Sequence, residues 1–151
     1  MGIHHLDIWK VAFASLLFLA GPASGFAQGT AMPMHAILGE WRGTSLCTNL
    51  QLAPACKDED VRYVFTQAQG KANAVHLLAE KLVSGQYQPM YEINLEYVDS
   101  DREWRYDFQT PRFKSRWFYT TDGLSLSGGL LALDSRELVR KASAKRYGAQ
   151  R

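Results

Sequence analysis

Apolar and polar residues alternate along most of this chain, with the period of two that is typical of half-buried β-strands. The alternation is clearest in three consecutive segments, residues 91–97, 104–109 and 113–119. Turn-forming residues separate these segments, at 99–102 and at Thr110-Pro111. The pattern therefore predicts successive antiparallel strands joined by short connections.

Less regular segments extend the same arrangement in both directions. Residues 61–67, 75–83 and 124–133 are compatible with strands, and residues 138–145 with either a strand or a short helix. An opening strand around Trp41 brings the total to eight, and no amphipathic helix of normal length is evident. We therefore predict an all-β fold, an eight-stranded antiparallel up-and-down β-barrel.

The opening strand contains a Gly-x-Trp motif, formed by Gly39 and Trp41. In a small closed barrel every strand is paired on both sides, so no strand edge is exposed, and a large aromatic side chain can fill one end of the barrel. We expect Trp41 to fill the bottom of the barrel in this way.

The residues before the barrel resemble a secretory signal peptide. An apolar run from Val11 to Gly21 is too short to span a bilayer, and small residues follow it up to Ala27. We expect cleavage after Ala27, so that residues 1–27 are the signal and residues 28–151 form one domain, periplasmic or secreted, with no membrane span. A retained anchor is the alternative.

Charge and cysteine content narrow the choice of partners. The chain has 17 basic and 15 acidic residues, a net charge of +2 that gives no reason to expect nucleic acid or an anionic membrane as partner. Its two cysteines, Cys47 and Cys56, are expected to form a disulfide in an exported protein. A metal site is the alternative, but two thiols without a nearby histidine do not supply four ligands.

Several features together resemble the calycins, the group of lipocalins, fatty-acid-binding proteins and avidin-like barrels. They are the Gly-x-Trp motif, the strand number and the mature length. The stretch Trp41-Arg42-Gly43-Thr44-Ser45, with Cys47, Ala55-Cys56, Asp58-Glu59 and Val61, is similar to small exported bacterial lipocalin-like proteins of unassigned function.

The resemblance implies a partner for the plugging tryptophan. In lipocalins an arginine of the last strand packs across the first-strand tryptophan, and Arg140 is the residue expected to do so here. The alternative is that Val139 marks the inner face, which would leave Arg140 in solvent. The resemblance thus gives Gly39, Trp41 and Arg140 structural roles.

The inner faces of the predicted strands carry many aromatic rings, and these could either fill the barrel or line a pocket. The residues that we expect to contact a small apolar or amphipathic ligand are Lys81, Trp104, Tyr106, Phe108, Phe113, Trp117 and Tyr119. If Val75, Leu77 and Ala79 line the interior, Lys81 shares their face and could meet an anion or an internal glutamate; the alternative is that the face of His76, Leu78, Glu80 and Leu82 points inward.

No constellation of catalytic residues is evident. The segment Gly123 to Ser127 lacks the final glycine of a nucleophile elbow, and His35 and His76 are far apart. We therefore expect a non-enzymatic protein without a cofactor or metal. The first hypothesis is a ligand carrier or sensor. The second is an envelope protein-binding or inhibitor module with a solid interior, whose protein partner the sequence does not identify.

Overall fold

The computed structural model describes residues 34–148, which form a closed barrel of eight antiparallel strands, each paired with the next and the last with the first. The strands are β1 (Gly39–Cys47), β2 (Glu59–Gln67), β3 (Ala74–Val83), β4 (Gln86–Val98), β5 (Glu103–Gln109), β6 (Lys114–Thr121), β7 (Ser125–Ala132) and β8 (Glu137–Arg146). The predicted eight-stranded up-and-down barrel is confirmed. The predicted signal peptide, residues 1–27, lies outside the described residues.

One short helix, α1 (Met34–Ile37), precedes the barrel and was not predicted. It lies at the end where β1 begins, which we call the closed end. Ile37 is fully buried, and its carbonyl accepts a hydrogen bond from the Trp41 indole Nε1 at 2.8 Å. Trp41 therefore plugs the barrel beneath α1, as the Gly-x-Trp motif predicts.

The side chain that lies over Trp41 is Arg146, with Cζ 4.3 Å from the centre of the indole. The prediction that Arg140 packs across Trp41 is wrong. Both arginines are on β8, but Trp41 is paired with Arg146, whereas Arg140 is paired with Cys47 at the other end of β1. The pairing register between β1 and β8 thus determines which of the two arginines lies over Trp41.

The closed half of the barrel is packed with aromatic rings from the inner faces of the strands. Tyr119 is central, with its ring centre 5.4 Å from that of Tyr63 and 5.6 Å from that of Phe65, both in edge-on arrangements. Tyr97 and Trp104 pack 5.0 Å apart on neighbouring strands. Edge-to-face packing of this kind stabilises the core beyond the area it buries.

Two irregularities interrupt the strand pairing. The register shifts between Ala79 and Glu80 where β3 meets β4, and between Leu130 and Leu131 where β7 meets β8. The second shift closely follows Gly128, where an added Cβ would lie 2.2 Å from the carbonyl oxygen of Phe118. Residues 138–145, for which the sequence allows either a strand or a short helix, belong to strand β8.

The β4–β5 pairing is short. Its residue pairs in the described chain are Glu96 with Arg105, Tyr97 with Trp104 and Val98 with Glu103, all toward the closed end. Residues 86–95 of β4 and 106–109 of β5 therefore form no backbone pairs with each other. We call these two unpaired segments the β4–β5 seam.

Within residues 34–148, no helix has both the length and the apolar character needed to cross a membrane.

Candidate functional site

A cavity of about 700 Å³ lies at the end opposite α1, which we call the open end. Three groups of residues line it: the inner faces of the strands, the loop that follows β1, and the turn between β5 and β6. They are Ser45, Ala53, Pro54, Ala55, Cys56, Glu59, Lys81, Pro89, Met90, Tyr91, Arg112, Trp117, Leu130, Val139 and Arg140. The barrel is thus solid in one half and hollow in the other.

Arg140 is held on one side of the cavity by a network of hydrogen bonds. Its Nε donates to the Ser45 hydroxyl at 2.8 Å, and its Nη2 donates to the Lys57 carbonyl at 2.7 Å and to Glu59 Oε2 at 2.9 Å. None of these contacts uses Nη1. Because the Arg140 side chain is only 15 % exposed, its positive charge is fixed inside the barrel mouth.

Lys81 approaches the same carboxylate from β3. Its ammonium lies 3.7 Å from Glu59 Oε1, and it also lines the cavity. Glu59 therefore lies between two cations that come from different strands. The Lys81 side chain is 41 % exposed and the Glu59 side chain 17 %, so Lys81 is the accessible member of the group.

Arg112 adds a third positive charge at the mouth. It lies in the turn between β5 and β6, and its Nη1 donates to the carbonyl of Leu52 across the mouth at 3.3 Å. The loop that contains Leu52 is closed by the disulfide between Cys47 and Cys56, whose Cα atoms are 6.0 Å apart. The predicted disulfide is confirmed. The cavity lining thus carries three basic side chains and one acidic one.

Aromatic rings form the inner part of the cavity wall. Tyr91 and Trp117 stack with ring centres 4.9 Å apart. The Tyr91 hydroxyl lies 3.1 Å from that of Tyr119, which belongs to the packed half. The nearby Tyr63 hydroxyl is buried without a hydrogen-bond partner in the described chain. Burial raises the pKa of Tyr63 and raises the pKa values of Tyr91 and Tyr119 further, so all three are neutral near pH 7.

The seven predicted ligand contacts are divided among different parts of the barrel. Lys81 and Trp117 line the cavity. Trp104 and Tyr119 are buried in the packed half, which leaves them away from the cavity. These two are structural residues in this arrangement.

The other three predicted contacts do not line the cavity either. Tyr106 and Phe108 lie along the β4–β5 seam, where Tyr106 is 39 % exposed. The sequence predicts a strand that includes Phe113, but Phe113 lies in the turn before β6, where its amide donates to the Thr110 hydroxyl at 3.0 Å.

Sequence reasoning missed Glu59, Tyr91, Arg112 and the cavity role of Arg140. The sequence around Glu59 gives no sign that β3 and β8 bring cations to it. The alternation along β8 places Arg140 on the inner face, and this position predicts a cation in the cavity as readily as a partner for Trp41.

The fold and the cavity define a small closed β-barrel with one plugged end and one open, positively charged end. This architecture is consistent with a lipocalin-like fold. Neither a protein-family model nor a curated protein sequence matches the chain.

Proposed function

We propose that this protein is a non-enzymatic carrier or sensor that binds a small amphipathic anion in the cavity at the open end. The observation that carries the proposal is the excess of positive charge inside a hollow half-barrel: Lys81, Arg112 and Arg140 against Glu59. Pockets that bind small molecules combine an apolar wall with a few polar groups that fix orientation. A carboxylate on an apolar chain fits both features.

The polar contacts would come from opposite sides of the cavity. Arg140 offers Nη1, which none of its internal contacts uses, and Lys81 offers an exposed ammonium. Glu59 holds both cations in place and competes with the ligand for them. Apolar contacts would come from Met90, Tyr91, Trp117, Leu130 and Val139.

The cavity also bears on the alternative hypothesis of a protein-binding or inhibitor module. That hypothesis depended on an interior filled by side chains. Because the open half encloses about 700 Å³, the carrier is the better-supported function.

We propose calycin membership and export on separate grounds. An arginine of the last strand over the first-strand tryptophan is the arrangement that the resemblance implies, and Arg146 supplies it.

The disulfide is compatible with an oxidising compartment, either periplasmic or extracellular. Mass spectrometry of the exported protein should find Gln28 at the amino terminus. Recovery of the uncleaved chain would contradict this.

Calorimetry with dodecanoate and dodecanol tests the binding function. We expect dodecanoate to bind at least ~10-fold more tightly, since a charge-assisted contact contributes on the order of 1.5–3 kcal/mol. K81Q should weaken dodecanoate binding and leave dodecanol binding unchanged. E59Q removes the competing carboxylate and should strengthen dodecanoate binding.

The matched control is K141Q, because Lys141 is an exposed lysine on β8 that does not line the cavity. This variant should bind dodecanoate like the unmodified protein. Equal affinity for dodecanoate and dodecanol would refute the anion preference. Failure of both to bind, in protein extracted free of lipid, would refute the carrier function.

A further inference from the structure

Beside the cavity, one stretch of the barrel wall lacks backbone pairing, and this stretch is the β4–β5 seam. Strand β4 has thirteen residues and pairs with β3 along most of its length, but its three pairs with β5 lie at Glu96, Tyr97 and Val98. Toward the open end, residues 86–95 form no backbone pairs with residues 106–109. The wall of the barrel therefore lacks backbone pairing beside the cavity.

Aromatic side chains lie along this seam. Tyr106 is paired with Trp117 on β6, so both side chains belong to the inner face of the sheet. Tyr106 is nevertheless 39 % exposed, because no paired β4 residue covers it. Its ring stacks on Phe108, with 5.7 Å between ring centres and 13° between ring planes. The seam thus leaves part of a stacked aromatic pair in contact with solvent.

Trp117 connects the seam to the cavity. The Trp117 ring stacks on Tyr91, and both residues line the cavity. In the strand pairing, Trp117 lies opposite Tyr106 of β5. The Tyr91–Trp117 stack joins β4 to β6 where β4 and β5 do not pair. Tyr91 and Trp117 therefore lie between the cavity and the seam residue Tyr106.

We propose that the apolar tail of the bound amphiphile leaves the cavity past Trp117 and lies in the β4–β5 seam against Tyr106 and Phe108. This inference rests on the proposed function, which places the anionic group near Lys81 and Arg140. The mouth is a poorer route for a tail, since Arg112 crosses it to reach the Leu52 carbonyl. The seam offers aromatic surface that would otherwise remain in water.

A series of carboxylates from hexanoate to octadecanoate tests the seam. Each methylene that leaves water should strengthen binding by up to about fourfold. In the Y106S/F108S variant this gain should stop at an intermediate chain length, while hexanoate binds as before. The control is L124S, at an exposed apolar residue between β6 and β7. It should keep the full chain-length dependence. The same dependence in Y106S/F108S would overturn the proposal.

A second measurement uses the unmodified sequence, with octadecanoate carrying a nitroxide near its methyl end. We expect paramagnetic broadening of the amide signals of Ile93, Tyr106 and Phe108. Broadening confined to residues 53–55 would place the tail at the mouth and overturn the seam while leaving the carrier function intact. If neither hexanoate nor octadecanoate binds, the carrier function and the seam are both refuted.

Discussion

The guanidinium of Arg146 lies over the indole of Trp41, with Cζ 4.3 Å from the ring centre. The same group donates hydrogen bonds to three carbonyls: from Nε to Gly123 at 2.6 Å, from Nη1 to Leu38 at 2.6 Å, and from Nη2 to Ala36. One side chain therefore joins β8 to the segment before β1 and to the turn before β7. The closed end depends on this arginine, whereas the open end is organised around Arg140.

Replacing Arg146 by lysine should destabilise the barrel although the charge is kept. An ammonium cannot reproduce the planar set of donors that reaches three carbonyls, and we expect a loss of about 1.5–3 kcal/mol in the free energy of unfolding. Urea unfolding measures it. The matched control is R136K, at an exposed arginine in the turn before β8, which should change stability by less than about 0.5 kcal/mol. Equal effects of the two substitutions would contradict the role of Arg146.

Gly39 should tolerate alanine less well than Gly70. Both residues have positive φ, at 116° and 73°, but a Cβ at Gly39 would lie 3.1 Å from Arg146 Nη1, whereas at Gly70 nothing lies within 4 Å. Each substitution costs about 1 kcal/mol for the backbone conformation, and G39A should cost more because it also displaces Arg146. Thermal unfolding compares them. A smaller loss for G39A than for G70A would contradict the expected contact.

Removing the disulfide should lower stability and loosen the cavity mouth. The bridge joins residues nine apart in sequence, and closing such a loop contributes about 2.5 kcal/mol on the chain-entropy model. C47A/C56A should lose about that amount in urea unfolding. Dodecanoate binding should also weaken, since Cys56 and the adjacent residues 53–55 line the cavity. Ready labelling of both thiols in the native oxidised protein would refute the bridge.

Stability should fall in alkaline solution because of three tyrosines inside the barrel, the buried Tyr63 and Tyr119 and the partly buried Tyr91. Burial raises the pKa values of Tyr63, Tyr91 and Tyr119 above the ordinary value of 10.0. Above pH 10 the unfolded chain releases these protons and the folded chain keeps them. The folded state then binds more protons, and the free energy of unfolding decreases as pH rises. Below pH 10 this stabilising contribution is fully present.

Absorbance titration of phenolate formation tests this expectation. Three of the seven tyrosines should ionise only as the protein unfolds. Y119F should make the fall in stability above pH 10 less steep. Early ionisation of all seven tyrosines in folded protein would show that the cluster is open to solvent.

The strands were predictable from the sequence because alternation is a local property. The segments 91–97 and 104–109 each show one apolar and one polar side, and the turn residues between them fix the connection. The Cys47–Cys56 bridge was predictable for a similar reason, since it closes a short loop. The short helix α1 carries no comparable signal, because four residues give no helical periodicity.

The sequence by itself determined that this chain forms eight antiparallel strands with aromatic inner faces and a disulfide after the first strand. It does not determine whether Arg140 or Arg146 is the partner of Trp41. The two residues lie on the same face of β8, and the alternation specifies only the face of a strand, not its register with a distant strand. The stagger between β1 and β8 pairs Trp41 with Arg146 and leaves Arg140 at the open end. The meeting of Glu59, Lys81 and Arg140, and the gap between β4 and β5, likewise depend on barrel closure, which acts between residues distant in sequence.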